Sequence, residues 1–103
     1  MNYKISVSLQ AKNDLIRIYR YIADDLLSPD NAKRQLDRLY DSISSLDEMP
    51  DRFRIYDIEK WRGRNLRVMP VNNYLVFYVP DSDNQSVTVI RVLYGGQDVT
   101  NLL

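Results

Sequence analysis

The chain has 103 residues, of which 45% are hydrophobic and 27% charged, and its 14 basic and 14 acidic side chains cancel to zero formal charge. This length suits a single domain over residues 1–103, and the composition is too apolar and too balanced in charge for a disordered chain. Because the chain contains no cysteine and no histidine, disulfide bonds, thiolate metal sites and histidine-based catalytic triads are excluded. We expect a cytoplasmic protein without membrane association, since no apolar run approaches the ~20 residues of a membrane span.

The first half of the chain predicts one strand followed by two helices. Residues 3–7 alternate apolar and polar side chains, as in a half-buried strand. Ser8 can then cap a helix, whose single apolar stripe runs from Ala11 to Leu26 at spacings of three and four residues. Ser28 predicts the capped start of a second amphipathic helix, and Pro50 marks its end. A short connection between two such helices favours an antiparallel hairpin.

The second half predicts three strands. Residues 64–69 alternate in polarity, and the asparagines of residues 70–73 predict a turn. The run at 74–79 is apolar on both faces, which is typical of a central strand covered on both sides. Residues 87–93 are rich in β-branched side chains and predict the last strand. The glycines at 95–96 end it, and we expect them to form a turn that needs positive φ.

The order of these elements predicts an α+β fold. An N-terminal strand is followed by an antiparallel helical hairpin, packed on a C-terminal three- to four-stranded antiparallel sheet. We expect the first strand to return to a sheet edge or to pair with a C-terminal strand.

Positive charge is concentrated in residues 51–67, which contain six basic and three acidic residues and so carry a local net charge of +3. Three aromatic residues, Phe53, Tyr56 and Trp61, lie between these basic residues. Arginines alternating with aromatics can bind phosphates and stack on bases. The alternative interpretation is a solvated loop that its aromatic residues hold against the core, and the sequence leaves both open.

Two arginines, Arg67 and Arg91, interrupt otherwise apolar strands. Such an arginine either faces water or recruits a carboxylate, a phosphate or a partner chain. Tyr94, beside the glycines, is the best candidate for a phenol in a functional site. Our hypothesis is that Arg64, Arg67 and Arg91 contact phosphate or an acidic partner, with Tyr94 alongside. No carboxylate spacing matches a metal site, so we assign neither a metal nor a cofactor.

Four segments, taken together, resemble one protein family. They are YKISVSLQAKNDLIRIYRYIADDL at the start, then LDEMPDRF, LRVMPVNNYLVFYVPD and VTVIRVLYGGQD. In this order they span nearly the whole chain and are similar to the RelE/ParE family of bacterial type II toxins. The resemblance implies a toxin made beside a small antitoxin, whose C-terminal segment wraps the toxin. Some members cut ribosome-bound mRNA, whereas the ParE-like branch poisons DNA gyrase.

The resemblance also bears on the choice between these two activities. RelE ribonucleases use a Lys/Arg cluster with a C-terminal tyrosine and no metal, and their basic positions before the central strand correspond to Arg64 and Arg67. Leu75 stands where the family often has a central-strand arginine, and Gln97 replaces the arginine of a glycine-arginine-aspartate segment. No tyrosine follows Asp98. The resemblance therefore favours a ParE-like toxin that binds a target such as gyrase, with a RelE-like, metal-independent mRNA endonuclease as the alternative.

Overall fold

One four-stranded sheet and one helical hairpin form the fold. The computed structural model describes residues 2–103. The elements are β1 (Lys4–Val7), α1 (Leu9–Arg20), α2 (Pro29–Ser44), β2 (Arg67–Val71), β3 (Tyr74–Asp81) and β4 (Ser86–Tyr94), with a π-helix at Tyr21–Asp25 between α1 and α2. The strand order is β1-β4-β3-β2, with β1 parallel to β4 and the other pairs antiparallel. The predicted α+β architecture is confirmed, and β1 both lies at an edge and pairs with a C-terminal strand.

The start of α1 is capped as the sequence predicts. The Ser8 hydroxyl accepts a hydrogen bond from the Ala11 N–H at 3.1 Å, which satisfies one of the free amides of the first turn. The same hydroxyl donates to the Ile90 carbonyl of β4 at 2.9 Å. Ser8 therefore caps the helix and also fastens its first turn to the sheet.

The predicted apolar stripe of the first helix ends earlier than expected. Ala11 and Leu15 are buried, but α1 stops at Arg20, and the next turn is a π-helix in which the Leu26 N–H bonds the Tyr21 carbonyl at 3.0 Å. A π-turn holds one more residue than an α-turn, so the α-helical spacing no longer applies to the residues in it. Leu26 is accordingly 55% exposed, and its predicted place in the stripe is wrong.

The start of α2 also differs from its predicted form. Pro29 is the first helical residue, as expected, but the Ser28 side chain makes no capping bond to the helix backbone. Its hydroxyl instead accepts a hydrogen bond from the Asn31 side-chain amide at 2.7 Å. The predicted capping role of the Ser28 side chain is therefore wrong, because a neighbouring amide occupies its oxygen.

The main core lies between the helical hairpin and one face of the sheet. It is built from apolar residues of α1, α2 and alternate positions of the strands, with Leu39, Leu46, Val76 and Val89 fully buried. Tyr78 also lies in this layer, and its hydroxyl donates to the Pro50 carbonyl at 2.6 Å. This bond ties the segment after α2 to the middle of the central strand.

A second core covers the opposite face of the sheet. Phe77 is completely buried there, and its ring meets that of Tyr56 edge-on with the centroids 5.0 Å apart. The cover is irregular chain, and the Trp61 indole N–H donates to the Leu103 carbonyl at 3.1 Å. The remaining buried members of this cluster are Leu66, Val68, Leu93, Val99 and Leu103. The prediction that the central strand is covered on both faces is confirmed.

The outer edge of β2 is protected from further pairing. The Val68 N–H bonds the Arg54 carbonyl at 3.1 Å. Because strand amides alternate in direction, the next outward position is Pro70, which has no N–H. The turn that follows is tighter than predicted, since Pro70 and Val71 belong to β2 and only residues 72–73 connect the strands, with Asn72 at φ 53°.

Burial of Tyr78 makes stability depend on pH at high pH. Burial raises the pKa of its phenol to about 12, although Arg67 and Arg52 oppose the shift. In the unfolded chain the phenol loses its proton from about pH 10. The stability that the protonated Tyr78 adds to the fold is therefore complete below pH 10, and it falls by about 2–3 kcal/mol as the pH rises to about 12. In the Tyr78→Phe variant, the free energy of unfolding measured by urea denaturation should no longer show this decrease between about pH 10 and 12. An unchanged decline in the variant would contradict the assignment.

Candidate functional site

Arg91 binds a carboxylate of its own chain. Its guanidinium Nε lies 2.8 Å from Asp14 Oδ2, and its Nη2 lies 2.9 Å from Asp14 Oδ1, a two-pronged contact. Asp14 lies on α1 with its side chain 2% exposed, whereas that of Arg91 is 14% exposed. The hydrogen bonds to Asp14 raise the pKa of Arg91. Of the predicted alternatives for this arginine, recruitment of a carboxylate is the one the structure shows.

The same carboxylate completes the backbone pairing of β4. β1 ends at Val7, opposite Val89, so the next outward-facing amides of β4 have no strand beside them. Asp14 Oδ2 accepts the Val92 N–H at 3.0 Å and so takes the place of a strand. Arg91 also donates from Nη1 to the Leu102 carbonyl at 2.8 Å. The pair therefore joins α1, β4 and the C-terminal residues.

Arg67 is likewise engaged within the chain. Its Nη1 donates to the carbonyls of Asp51 at 3.0 Å and Phe53 at 2.7 Å, and its Nε donates to Asn65 Oδ1 at 3.2 Å. The Asp51 carboxylate lies 3.6 Å from Nε, and the Arg67 side chain is 17% exposed. These bonds position the segment after α2 against β2.

Arg64 and Tyr94 are the two exposed members of the predicted set. Arg64 lies over the Trp61 ring, 4.2 Å from its centroid, beside the last residues of β3. Tyr94 is 50% exposed and pairs with Tyr74, the first residue of β3. Tyr74 and Pro80 are six steps apart along extended chain, so the two ends of β3 beside which the candidates lie are about 20 Å apart. The four predicted residues do not form one cluster.

The basic segment is held to the protein by its aromatic residues. Tyr56 and Trp61 pack against the second core and Phe53 against the main core. Arg54 lies over the Tyr56 ring and Arg62 pairs with Asp57 at 3.1 Å. The structure thus shows the packed-loop interpretation, with every arginine of the segment except Arg67 exposed on the outer surface.

The glycines after β4 are required because a side chain would not fit there, and not because of their backbone angles. Gly95 and Gly96 form the expected turn, but neither has positive φ, so that expectation is wrong. A Cβ on Gly96 would lie 2.6 Å from Cε2 of Tyr94, and one on Gly95 would lie 3.2 Å from the Asn73 carbonyl oxygen. The glycines therefore leave room for the Tyr94 ring and for the close approach of β3.

A cleft of about 680 Å³ opens where α1 and the π-helix pass the end of β4. Tyr94 and Arg91 line it, together with Arg17 and Tyr21 from the helices. Burial raises the pKa of Tyr74 in its wall, with smaller effects from the Tyr21 and Tyr94 phenols. The volume is that of a typical ligand or side-chain recognition site.

Sequence reasoning missed the residues that α1 contributes to this cleft. Asp14 is the buried charged residue, and Arg17 Nη1 lies 3.3 Å from its Oδ1. One feature of the sequence could have revealed it: Asp14 follows Ala11 by three residues and precedes Ile18 by four, which places a carboxylate on the apolar face. A charge there needs a buried partner.

The charged groups of residues 2–103 include no set of three acidic side chains placed to hold a metal ion. In the same part of the chain, no helix is both long and apolar enough to cross a membrane.

A strand, a helical hairpin and an antiparallel meander give this chain an α+β fold of the RelE/ParE type. The family model described as "ParE toxin of type II toxin-antitoxin system, parDE" matches residues 5–99. The chain belongs to this family and is the toxin component of a type II toxin–antitoxin module. No curated protein sequence matches it.

Solved structures share this fold at low sequence identity. The chromosomal ParDE system from P. aeruginosa aligns with a TM-score of 0.72 at 13% identity, covering 89% of this chain and 95% of that one. The toxin–antitoxin complex RelBE2 from Mycobacterium tuberculosis gives 0.69 at 18%, covering 91% and 92%. The archaeal RelE–RelB complex from Pyrococcus horikoshii gives 0.63 at 15%, covering 94% and 99%. These structures show the shared fold, and the family model over residues 5–99 confirms the predicted RelE/ParE family.

Proposed function

We propose that this toxin arrests growth in the cytoplasm by binding DNA gyrase, and that a small antitoxin neutralises it by covering the working surface. The family model that matches the chain is that of ParE toxins. The similar structures are described as the ParDE system and as complexes of RelE-type toxins with their antitoxins. A toxin that works by binding needs a complementary surface but no proton transfer.

The arrangement of the four candidate residues is the observation that carries this proposal. Cleavage of RNA through its 2′-hydroxyl requires charge and a proton-transfer group at one phosphate. Arg67 and Arg91 donate hydrogen bonds to oxygen atoms of their own chain, while Arg64 and Tyr94 lie at opposite ends of the sheet. Arginine is also a poor base near neutral pH. Binding by separate exposed groups fits this layout better than catalysis.

A RelE-like mRNA endonuclease is the second candidate. The observation in its favour is the cleft, where the half-exposed Tyr94 phenol shares a wall with Arg17 and Arg91. A ribosome could supply the substrate orientation that such a site lacks. The two candidates predict damage to different nucleic acids.

The deciding experiment follows DNA and mRNA in the same induced cells. After induction without the antitoxin, we expect growth arrest, double-strand DNA breaks and an SOS response, with intact transcripts. Purified toxin should likewise trap gyrase on supercoiled plasmid as a cleaved complex. Transcripts with new 3′ ends and unbroken DNA would favour the nuclease, and the absence of growth arrest would contradict both.

A matched pair of variants tests whether Arg64 belongs to the working surface. Arg64 is exposed and has no acidic partner among residues 2–103, so Arg64→Glu should weaken growth arrest by reversing a free charge. Lys33→Glu, a charge reversal at an exposed position of α2, should leave the arrest unchanged. Equal arrest by both variants would remove Arg64 from the proposal.

A further inference from the structure

The cleft beside β4 presents one accessible cation. Asp14 and Arg91 lie at its base, 2% and 14% exposed, and their charges cancel. The Arg17 side chain is 72% exposed, and among residues 2–103 its one polar contact is the 3.3 Å approach to Asp14 Oδ1. The single negative charge of Asp14 is shared between two guanidinium groups, those of Arg91 and Arg17, so the three side chains together carry a net charge of +1 (two minus one). The charge that faces solvent in this cleft is therefore positive.

The rim of the cleft is apolar and half exposed. Tyr21, Leu26 and Tyr94 are 51%, 55% and 50% exposed, and all three line the cleft. Tyr21 and Leu26 are five residues apart and share one side because the π-helix closes its turn with an i to i+5 bond between them. An apolar side chain placed between these residues would remove all three from water.

The backbone edge of β4 is closed to an added strand. The Val92 N–H is taken by Asp14, and the Tyr94 N–H is taken by Gln97 Oε1 at 3.1 Å. The Gln97 N–H in turn donates to the Tyr94 carbonyl at 3.1 Å. A partner at this place must therefore be recognised through side chains. A nucleic acid backbone would need several free cations, and the cleft offers one.

We propose that this cleft binds an acidic segment of the antitoxin, with a carboxylate on Arg17 and a neighbouring apolar side chain between Tyr21, Leu26 and Tyr94. The identity of the occupant rests on the proposed function, whereas the chemistry rests on the cleft. The positive charge selects a carboxylate by complementarity, and the apolar rim supplies buried area. This assignment makes Arg17, outside the predicted set of arginines, the contact that determines neutralisation.

Short overlapping synthetic peptides that span the neighbouring antitoxin reading frame are the probe. We expect one acidic peptide to bind purified toxin and Arg17→Glu to weaken its Kd by about tenfold or more. Arg38→Glu, an exposed reversal on α2 outside the cleft, should change it less than twofold. Replacing the acidic residue of that peptide by its amide should weaken binding to the wild type but not to Arg17→Glu.

A second variant tests the rim without altering charge. Gly96→Ala places a methyl group 2.6 Å from the Tyr94 ring and should displace it, weakening the same peptide while circular dichroism shows an intact fold. Unchanged binding by both Arg17→Glu and Gly96→Ala would overturn the proposal. Binding of a labelled single-stranded RNA at the cleft, lost in Arg17→Glu, with no peptide bound would also overturn it.

The peptide assay is independent of the cellular target. Growth arrest and gyrase trapping are scored without the antitoxin, so their failure would contradict the proposed function and leave the peptide result standing. In cells, neutralisation by the neighbouring antitoxin gene is scored separately from arrest. A cleft variant that still arrests growth but is no longer neutralised would support the inference directly.

Discussion

Replacing Asp14 with alanine is expected to lower the free energy of unfolding by about 3–5 kcal/mol. The change leaves Arg91, 14% exposed, without its carboxylate and removes the acceptor of the Val92 N–H. Breaking one side of a buried ion pair costs this much because the remaining charge stays desolvated. Urea denaturation followed by circular dichroism measures the change.

Arg17→Ala is the matched control for this prediction. It removes the other arginine on the same carboxylate, but that side chain is 72% exposed, so we expect a loss of at most about 1 kcal/mol. The double variant Asp14→Ala/Arg91→Ala should cost less than the sum of its single changes, since neither charge is then left alone. A loss below 1 kcal/mol for Asp14→Ala would contradict the buried pair.

Loss of the Asp14–Arg91 pair would also abolish toxicity indirectly, by destabilising the fold. An inactive Arg91→Ala variant would report a damaged fold rather than a lost target contact. Arg64 is the more informative arginine because its guanidinium lies on the outer surface over Trp61.

Phe77→Ala is expected to cost about 3–5 kcal/mol, because it empties the centre of the second core. Phe77 is completely buried on the face of the sheet that irregular chain covers, and its edge-on contact with Tyr56 is lost as well. Ile55 precedes Tyr56 but is 51% exposed, so Ile55→Ala should lower the free energy of unfolding far less.

Trp61 offers a second readout of the same variant. It is the single tryptophan of the chain and packs against the cluster around Phe77. If the cover loosens when Phe77 is removed, native fluorescence should shift to longer wavelength. A small loss of stability with unchanged fluorescence would mean that the irregular layer does not pack on the sheet in solution.

The regular elements were predictable because each depends on local pattern. The alternation at residues 3–7 and the doubly apolar run at 74–79 follow from the two-residue period of a strand. The cap at Ser8 needs only an oxygen placed before a helix. These features involve neighbours in sequence, so one chain is enough to predict them.

The departures have physical causes that local pattern does not contain. No residue pattern in the sequence marks the π-helix at Tyr21–Asp25. It nevertheless moves Leu26 out of the expected apolar stripe and onto the rim of the cleft. The Ser28 hydroxyl was taken by a competing amide. The first is closed by a backbone bond and the second by a side-chain bond, and neither follows from the spacing of apolar residues.

The candidate site was the least predictable part. The sequence left Arg91 open between facing water and recruiting a partner, because the carboxylate that it binds, Asp14, lies 77 residues away in the chain. Strand alternation alone could not say which face Arg67 and Arg91 occupy. The cleft needs a tertiary contact between α1 and β4, which no spacing in the sequence encodes.

Pro70 on the outer edge of β2 has a consequence for the behaviour of free toxin. Fibrils grow when copies of a protein stack edge to edge through continuous rows of backbone donors. On this side the amide of Val68 is already occupied and the next outward position has none. Toxin released in a crowded cell thus meets an obstacle to self-templated stacking along β2, which favours its persistence as separate molecules.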